Sequence, residues 1–93
     1  IDENLPESFE LYSPYPNPFN PSTTISYAIN QSVKVDLAIY NTTGQKVDQL
    51  VNDIQSSGYY SVKWNGEDFS SGLYFVRMQV GSKVYNQKLL LVK

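Results

Sequence analysis

Alternation with a period of two runs through most of this chain, and it constrains the fold more than any other feature. Val33, Val35, Leu37 and Ile39 alternate with Lys34, Asp36, Ala38 and Tyr40. A strand sends successive side chains to opposite faces, so the odd positions belong to a core and the even ones face outward. The same spacing recurs in Ile25, Tyr27 and Ile29, in Tyr60, Val62 and Trp64, and in Tyr74, Val76, Met78 and Val80. No segment sustains a helical period. Turn-forming clusters separate these runs: Asn30-Gln31-Ser32, Asn41-Thr42-Thr43-Gly44, Ser56-Ser57-Gly58, Asn65-Gly66-Glu67-Asp68 and Gly81-Ser82, the last a two-residue hairpin loop. Gln45 to Val51 reads as a weaker strand whose off-period Leu50-Val51 pair marks a bulge or a strand end, and Lys83 to Val92 returns as the last strand. Trp64 is expected near the rim of the core. Short strands at this spacing predict an all-β fold, an immunoglobulin-like β-sandwich of about seven antiparallel strands. At 93 residues the chain holds one such domain.

Two segments depart from the alternation. Residues 1–10 carry Asp2, Glu3, Glu7 and Glu10 and no base, whereas the remainder has seven bases against five acids. Residues 1–8 therefore read as an acidic, mobile linker, with Phe9, Leu11 and Tyr12 docking on a domain that spans 9–93. The second segment, Ser13-Pro14-Tyr15-Pro16-Asn17-Pro18-Phe19-Asn20-Pro21-Ser22, spaces prolines so that backbone donors are removed and each preceding residue is held extended. It reads as a rigid strap outside the strand ladders.

Composition narrows the function. With no Cys and no His, the chain lacks disulfides, thiolate or imidazole metal ligands, and Cys–His or Ser–His nucleophilic pairs. A net charge of −2 offers no basic surface for a phosphate backbone, so nucleic acid is not an expected partner. The run Leu89-Leu90-Leu91-Val92 falls far short of the roughly 20 residues of a membrane-spanning helix, and the charged-then-apolar pattern of a leader is not expected in residues 1–10. Glu67 and Asp68 supply too few oxygens at defined offsets for a calcium loop. Asp36 and Asp48 lie on strands where a carboxylate facing water is ordinary. No catalytic residue, metal or cofactor is expected. Tyr15, Tyr40, Tyr59 and Tyr85 raise the alternative of an immunoglobulin-like accessory module of an extracellular enzyme, one that stacks on sugar rings or merely spaces a catalytic domain, although tyrosines also simply cover sandwich faces. At the C-terminus, Lys83, Lys88 and Lys93 flank the apolar run, as lysines do on edge strands. There Leu90 and Val92 share one face and Leu89 and Leu91 the other, and a receptor that pairs with this edge would read it by β-augmentation.

Four motifs in order complete the reading: Tyr15-Pro16-Asn17-Pro18-Phe19-Asn20-Pro21-Ser22-Thr23-Thr24-Ile25; Ile39-Tyr40-Asn41 through Gly44-Gln45-Lys46-Val47; Ser71-Gly72-Leu73-Tyr74; and Lys88 with its apolar tail. From Phe9 to Lys93 the chain resembles the type A C-terminal sorting domains of the type IX secretion system. Gln45 replaces a frequent basic residue and Phe69-Ser70 a common Leu-Pro pair. The immunoglobulin-like domain of flagellar hook-capping proteins is similar, but it carries a longer insertion than the span from Trp64 to Tyr74 allows. The resemblance implies a non-catalytic signal at the end of a secreted or cell-surface protein of Bacteroidetes-type bacteria. Its partners would be an upstream cargo, an outer-membrane translocon and a surface sortase that cleaves in the linker before Phe9. The matching positions are Pro16, Asn17 and Pro18, then Gly44 and Val47, then Gly72 and Tyr74, and finally Lys88, Leu90 and Val92. Among these, the glycines and prolines are expected to be scaffold and the terminal strand the recognition surface.

Overall fold

The computed structural model describes residues 5–93. Seven strands follow in order: β1 (Glu10–Leu11), β2 (Ser22–Ile29), β3 (Val33–Tyr40), β4 (Lys46–Gln55), β5 (Gly58–Asn65), β6 (Gly72–Val80) and β7 (Lys83–Leu91). They form a three-stranded sheet in the order β1-β2-β5 and a four-stranded sheet in the order β4-β3-β6-β7. Every pair of neighbouring strands is antiparallel. The result is an all-β sandwich, and its strand order matches an immunoglobulin-like arrangement. No helix occurs among the described residues, so none is long and apolar enough to cross a membrane.

The core lies between the sheets and follows the alternation. Ile25, Tyr27 and Ile29 on β2 face Val35, Leu37 and Ile39 on β3 and Val76, Met78 and Val80 on β6, all buried. Ala38, on the outer face, is covered as well, flanked by Gln49 and Arg77 on the adjacent strands. Trp64 is not at the rim. It is sealed at 2% exposure among Phe19, Phe69 and Tyr74, with ring centroids 5.3–5.7 Å away. A polar loop follows Trp64 directly in sequence, but Phe69 from that same loop folds back over the indole.

β4 is longer than its sequence pattern indicates because two bulges interrupt its period. Leu37 pairs with Val51 and Ala38 with Gln49, which leaves Leu50 as an extra residue; Ile39 pairs with Asp48 and Tyr40 with Lys46, which leaves Val47. Cross-strand partners share a face, so Asp48, opposite the buried Ile39, turns inward. Its Oδ2 accepts a bond from Trp64 Nε1 at 2.9 Å, which ties one sheet to the other. By the same register Gln55, opposite Val33, accepts from the Tyr27 hydroxyl through Oε1 at 2.6 Å. Both bonds satisfy polar atoms that the apolar interior would otherwise strand at a cost of about 1–3 kcal/mol each.

The N-terminal segment docks earlier than expected. Pro6 is buried, and the Glu7 carbonyl accepts from Asn30 Nδ2 at 3.1 Å. Leu11 enters the core while Tyr12 stays on the surface, held by its backbone N–H to the Ser26 carbonyl at 3.0 Å. Residues 1–4 of the acidic linker lie outside the described residues.

Burial pushes the Tyr27 phenol above its ordinary value of 10.0, Gln55 pulls the other way and the stacked Tyr60 adds to the rise. The folded state thus favours the neutral phenol. Its contribution is complete below the unfolded value and is lost as pH climbs through the raised folded one. Denaturant titrations should show stability falling as pH rises past about 10, with a shallower fall in Tyr27→Phe. At neutral pH that substitution should cost about 1 kcal/mol through loss of the Gln55 bond.

Candidate functional site at the strap and the last strand

The strap runs from the smaller sheet to the larger one. Tyr15 exchanges backbone bonds with Thr24 of β2 at 3.1 and 2.9 Å, and Phe19 forms a parallel bridge to Leu91 of β7. The strap therefore does join the ladders, contrary to the expectation from its prolines. Prolines occupy the positions on either side of Tyr15, so its own N–H is kept for pairing, and Phe19 likewise follows Pro18 with its N–H intact. The peptide bonds preceding Pro16, Pro18 and Pro21 are cis. Between the two bridges the strap is pinned by Thr23, 1% exposed, whose hydroxyl donates to the Pro16 carbonyl at 2.8 Å.

Asn17 is the central contact. Its Nδ2 donates to the Lys88 carbonyl at 2.8 Å, and its Oδ1 accepts from the Leu90 N–H at 2.9 Å. A carboxamide presents the same donor and acceptor as a peptide group, so this side chain stands in for a missing neighbouring strand. Phe19 continues the pairing: its N–H donates to the Leu90 carbonyl at 2.9 Å, and its carbonyl accepts from the Val92 N–H at 3.0 Å. The outward backbone groups of β7 from the Lys88 carbonyl to the Val92 N–H are thereby occupied. β7 is the last strand of its sheet, as its lysines suggest, but its C-terminal half is not an open edge.

Side chains divide as the alternation requires. Leu89 and Leu91 are buried, whereas Leu90 is 40% and Val92 43% exposed. Leu91 packs against Gly66, where an added Cβ would lie 3.0 and 3.3 Å from the Leu91 methyls and 3.4 Å from the Phe19 ring. The Gly66 N–H donates to the Pro21 carbonyl at 2.8 Å, which closes the strap against the loop after β5.

The remaining motif residues build scaffold around this unit. Asn41 Oδ1 accepts from Thr43 N, Thr43 Oγ1 and Gln45 N at 2.8–3.0 Å, and Gly44 closes the turn at φ 85, a conformation that costs residues with a Cβ about 1 kcal/mol. Val47 is the half-buried bulge residue of β4. Gly72, at φ 149, starts β6 opposite Leu91, and the Tyr74 hydroxyl donates to the Ser70 carbonyl at 2.6 Å. The structure thus brings Pro16, Asn17 and Pro18 together with Lys88, Leu90 and Val92. Gly72 and Tyr74 brace that end of the sandwich, and Gly44 and Val47 lie on the turn and strand beyond β3.

Sequence reasoning passed over Phe19, Thr23 and Gly66 as working parts of the site. Phe19 was hidden because neighbouring prolines mask any period; an aromatic residue among prolines is the signal available there. The other candidates disperse. Tyr15 and Tyr59, 80% and 62% exposed, flank the smaller sheet, while Tyr40 on the larger sheet lies beneath Arg77 and Tyr85 packs partly against the core. They form no single aromatic strip. Asp36 accepts from Gln49 Nε2 at 2.8 Å, Asp48 holds Trp64, and Glu67 and Asp68 are exposed in a loop whose Glu67 carbonyl accepts from Lys93 Nζ. Among the described residues no three of His, Cys, Asp and Glu come together.

A sandwich whose most elaborate feature is a proline strap sealed onto its last strand defines a β-module, with its distinguishing residues concentrated at one end. The chain belongs to the secretion system C-terminal sorting domain family, whose model matches residues 13–93, from the first residue of the strap to the last of the sequence. This makes it a sorting domain of type IX secretion. No curated protein matches the chain.

Replacing Asn17 by Ala should lower stability by about 1–2 kcal/mol through its two lost bonds. Hydrogen exchange should show the Leu90 amide losing protection while the Val76 and Met78 amides in the sheet interior keep theirs. Gly66→Ala should cost about 1–3 kcal/mol by forcing Leu91 against Phe19, read as a lower denaturation midpoint with an unchanged slope.

Proposed function

We propose that this domain is a non-catalytic address read at the composite surface of strap and last strand, and that it carries an upstream cargo to the cell surface through an outer-membrane translocon. One observation carries the reading: Asn17 holds Lys88 and Leu90 across more than seventy positions of sequence, so two of the four motifs form one surface. Backbone pairing with β7 between Lys88 and Val92 would require the strap to leave. The exposed Leu90, Val92 and Lys88 side chains need no such release, and they present an apolar pair beside a cation that a receptor pocket can take up directly. Family membership supports the sorting role. Removal of the domain by a surface sortase, with cleavage in the acidic linker before Phe9, belongs to the same proposal.

The carbohydrate-binding form of the accessory-module alternative finds less support, because the candidate tyrosines are spread over both sheets rather than set in one strip. To test the sorting reading, a leader-bearing reporter fused to this domain is expressed in a host with a type IX system. The intact fusion should reach the surface. Leu90→Asp with Val92→Asp should reduce delivery at least about tenfold while thermal melting stays near that of the parent, since both side chains are already partly solvated. A folded double variant delivered as well as the parent would overturn recognition at this surface. A folded parent fusion retained in the periplasm would overturn the sorting role itself.

A further inference from the structure

The outer face of the larger sheet carries two adjoining hollows, of about 390 and 210 Å³, that share Phe75 and Asn86 as their common wall. The first opens beside the strap and is bounded by Asn17 and Lys88; the second runs on to Arg77 and the Asn41–Gly44 turn. Register explains the continuity. Phe75 pairs with Lys88 on one side and Tyr40 on the other, and Arg77 pairs with Asn86, so the hollows form one track across β7, β6 and β3. Three adjacent strands give it a breadth of about 10 Å.

Its charge is one-sided. Lys88 and Arg77 line the track and, among the described residues, no carboxylate does, although the whole chain is −2. The Arg77 guanidinium is held 4.7 Å above the Tyr40 ring, an arrangement that fixes the cation in place and leaves its N–H groups for a ligand. Lys46 lies opposite Tyr40 on β4 and extends the positive end. Asp36, farther along the same face, is occupied by Gln49 and borders a separate hollow with Lys34. Phe75, half-buried on the floor, offers an apolar platform, and Asn86 a carboxamide suited to a peptide backbone.

We propose that this track binds an acidic peptide segment of a partner protein, laid from the strap toward the Asn41–Gly44 turn with its carboxylates on Lys88 and Arg77. The assignment goes beyond the sorting reading, with which it shares Lys88, and is tested separately from it, since the purified domain and a synthetic peptide suffice. The probe is a fluorescent peptide alternating Glu and Phe, followed by anisotropy, with a Lys and Phe peptide as control. The acidic peptide should bind saturably, at least about tenfold more tightly than the control, and more weakly as salt is added. Arg77→Gln and Lys88→Gln should each weaken it about fivefold, whereas Lys34→Gln on the far part of the face should not. All three positions are exposed, and melting curves matching the parent verify that the variants fold. Equal binding of the two peptides, or binding indifferent to Arg77→Gln and Lys88→Gln, would overturn the proposal. So would retention on phosphatidylglycerol vesicles without peptide binding, which would assign the face to an anionic membrane.

Discussion

The pairing of the strap with β7 is the contact on which the rest of the sandwich depends. At Tyr15 the strap belongs to the smaller sheet, and at Phe19 it belongs to the larger. Hydrogen bonds and apolar packing contribute differently here. The polar bonds of Asn17 and Phe19 are worth about 1 kcal/mol each and set the register, whereas truncating a buried Phe or Leu costs about 2–5 kcal/mol. Phe19 and Leu91 provide that larger share, and Gly66 lets the loop after β5 close on them. Stability thus rests on an apolar seal, and alignment on a side chain that imitates a peptide group.

Edge control follows from the same arrangement. An exposed strand edge templates pairing with other chains, and sandwiches manage it with bulges, charges or cover. Here β4 is interrupted by two bulges, and β7 is covered where it is most apolar. The bulge at Val47 also has an inward consequence: it turns Asp48 toward the core, where it meets Trp64, while the second bulge at Leu50 restores the period and leaves Gln55 facing Tyr27. What blunts one edge therefore also cross-links the sheets.

Much of the fold is legible in residue order. Val35, Leu37 and Ile39, like Tyr74, Val76, Met78 and Val80, are buried as their alternation demands, because a strand's period is fixed by backbone geometry. The bulge at Leu50 showed itself as a broken period. Less legible was the depth of Trp64, since its cover comes from Phe69 and Phe19, neither of which is a neighbour on its own strand. The motif residues of the site were visible as a set, but their division of labour was not: Asn17 lies some seventy residues from its partners, and nothing local marks its carboxamide as a strand substitute.

The sequence by itself determined the class of fold, the core faces of β2, β3 and β6, the two-residue turn at Gly81-Ser82 and the positions that carry the family resemblance. These depend on local geometry, on which side a residue faces and which backbone angles it tolerates. Tertiary structure alone decided that the strap seals the last strand, that Asp48 and Gln55 face inward, and that Lys88, Phe75, Arg77 and the turn at Gly44 share one surface. Each of those outcomes depends on the register between strands distant in sequence, and register is set only when the two sheets close on their common core.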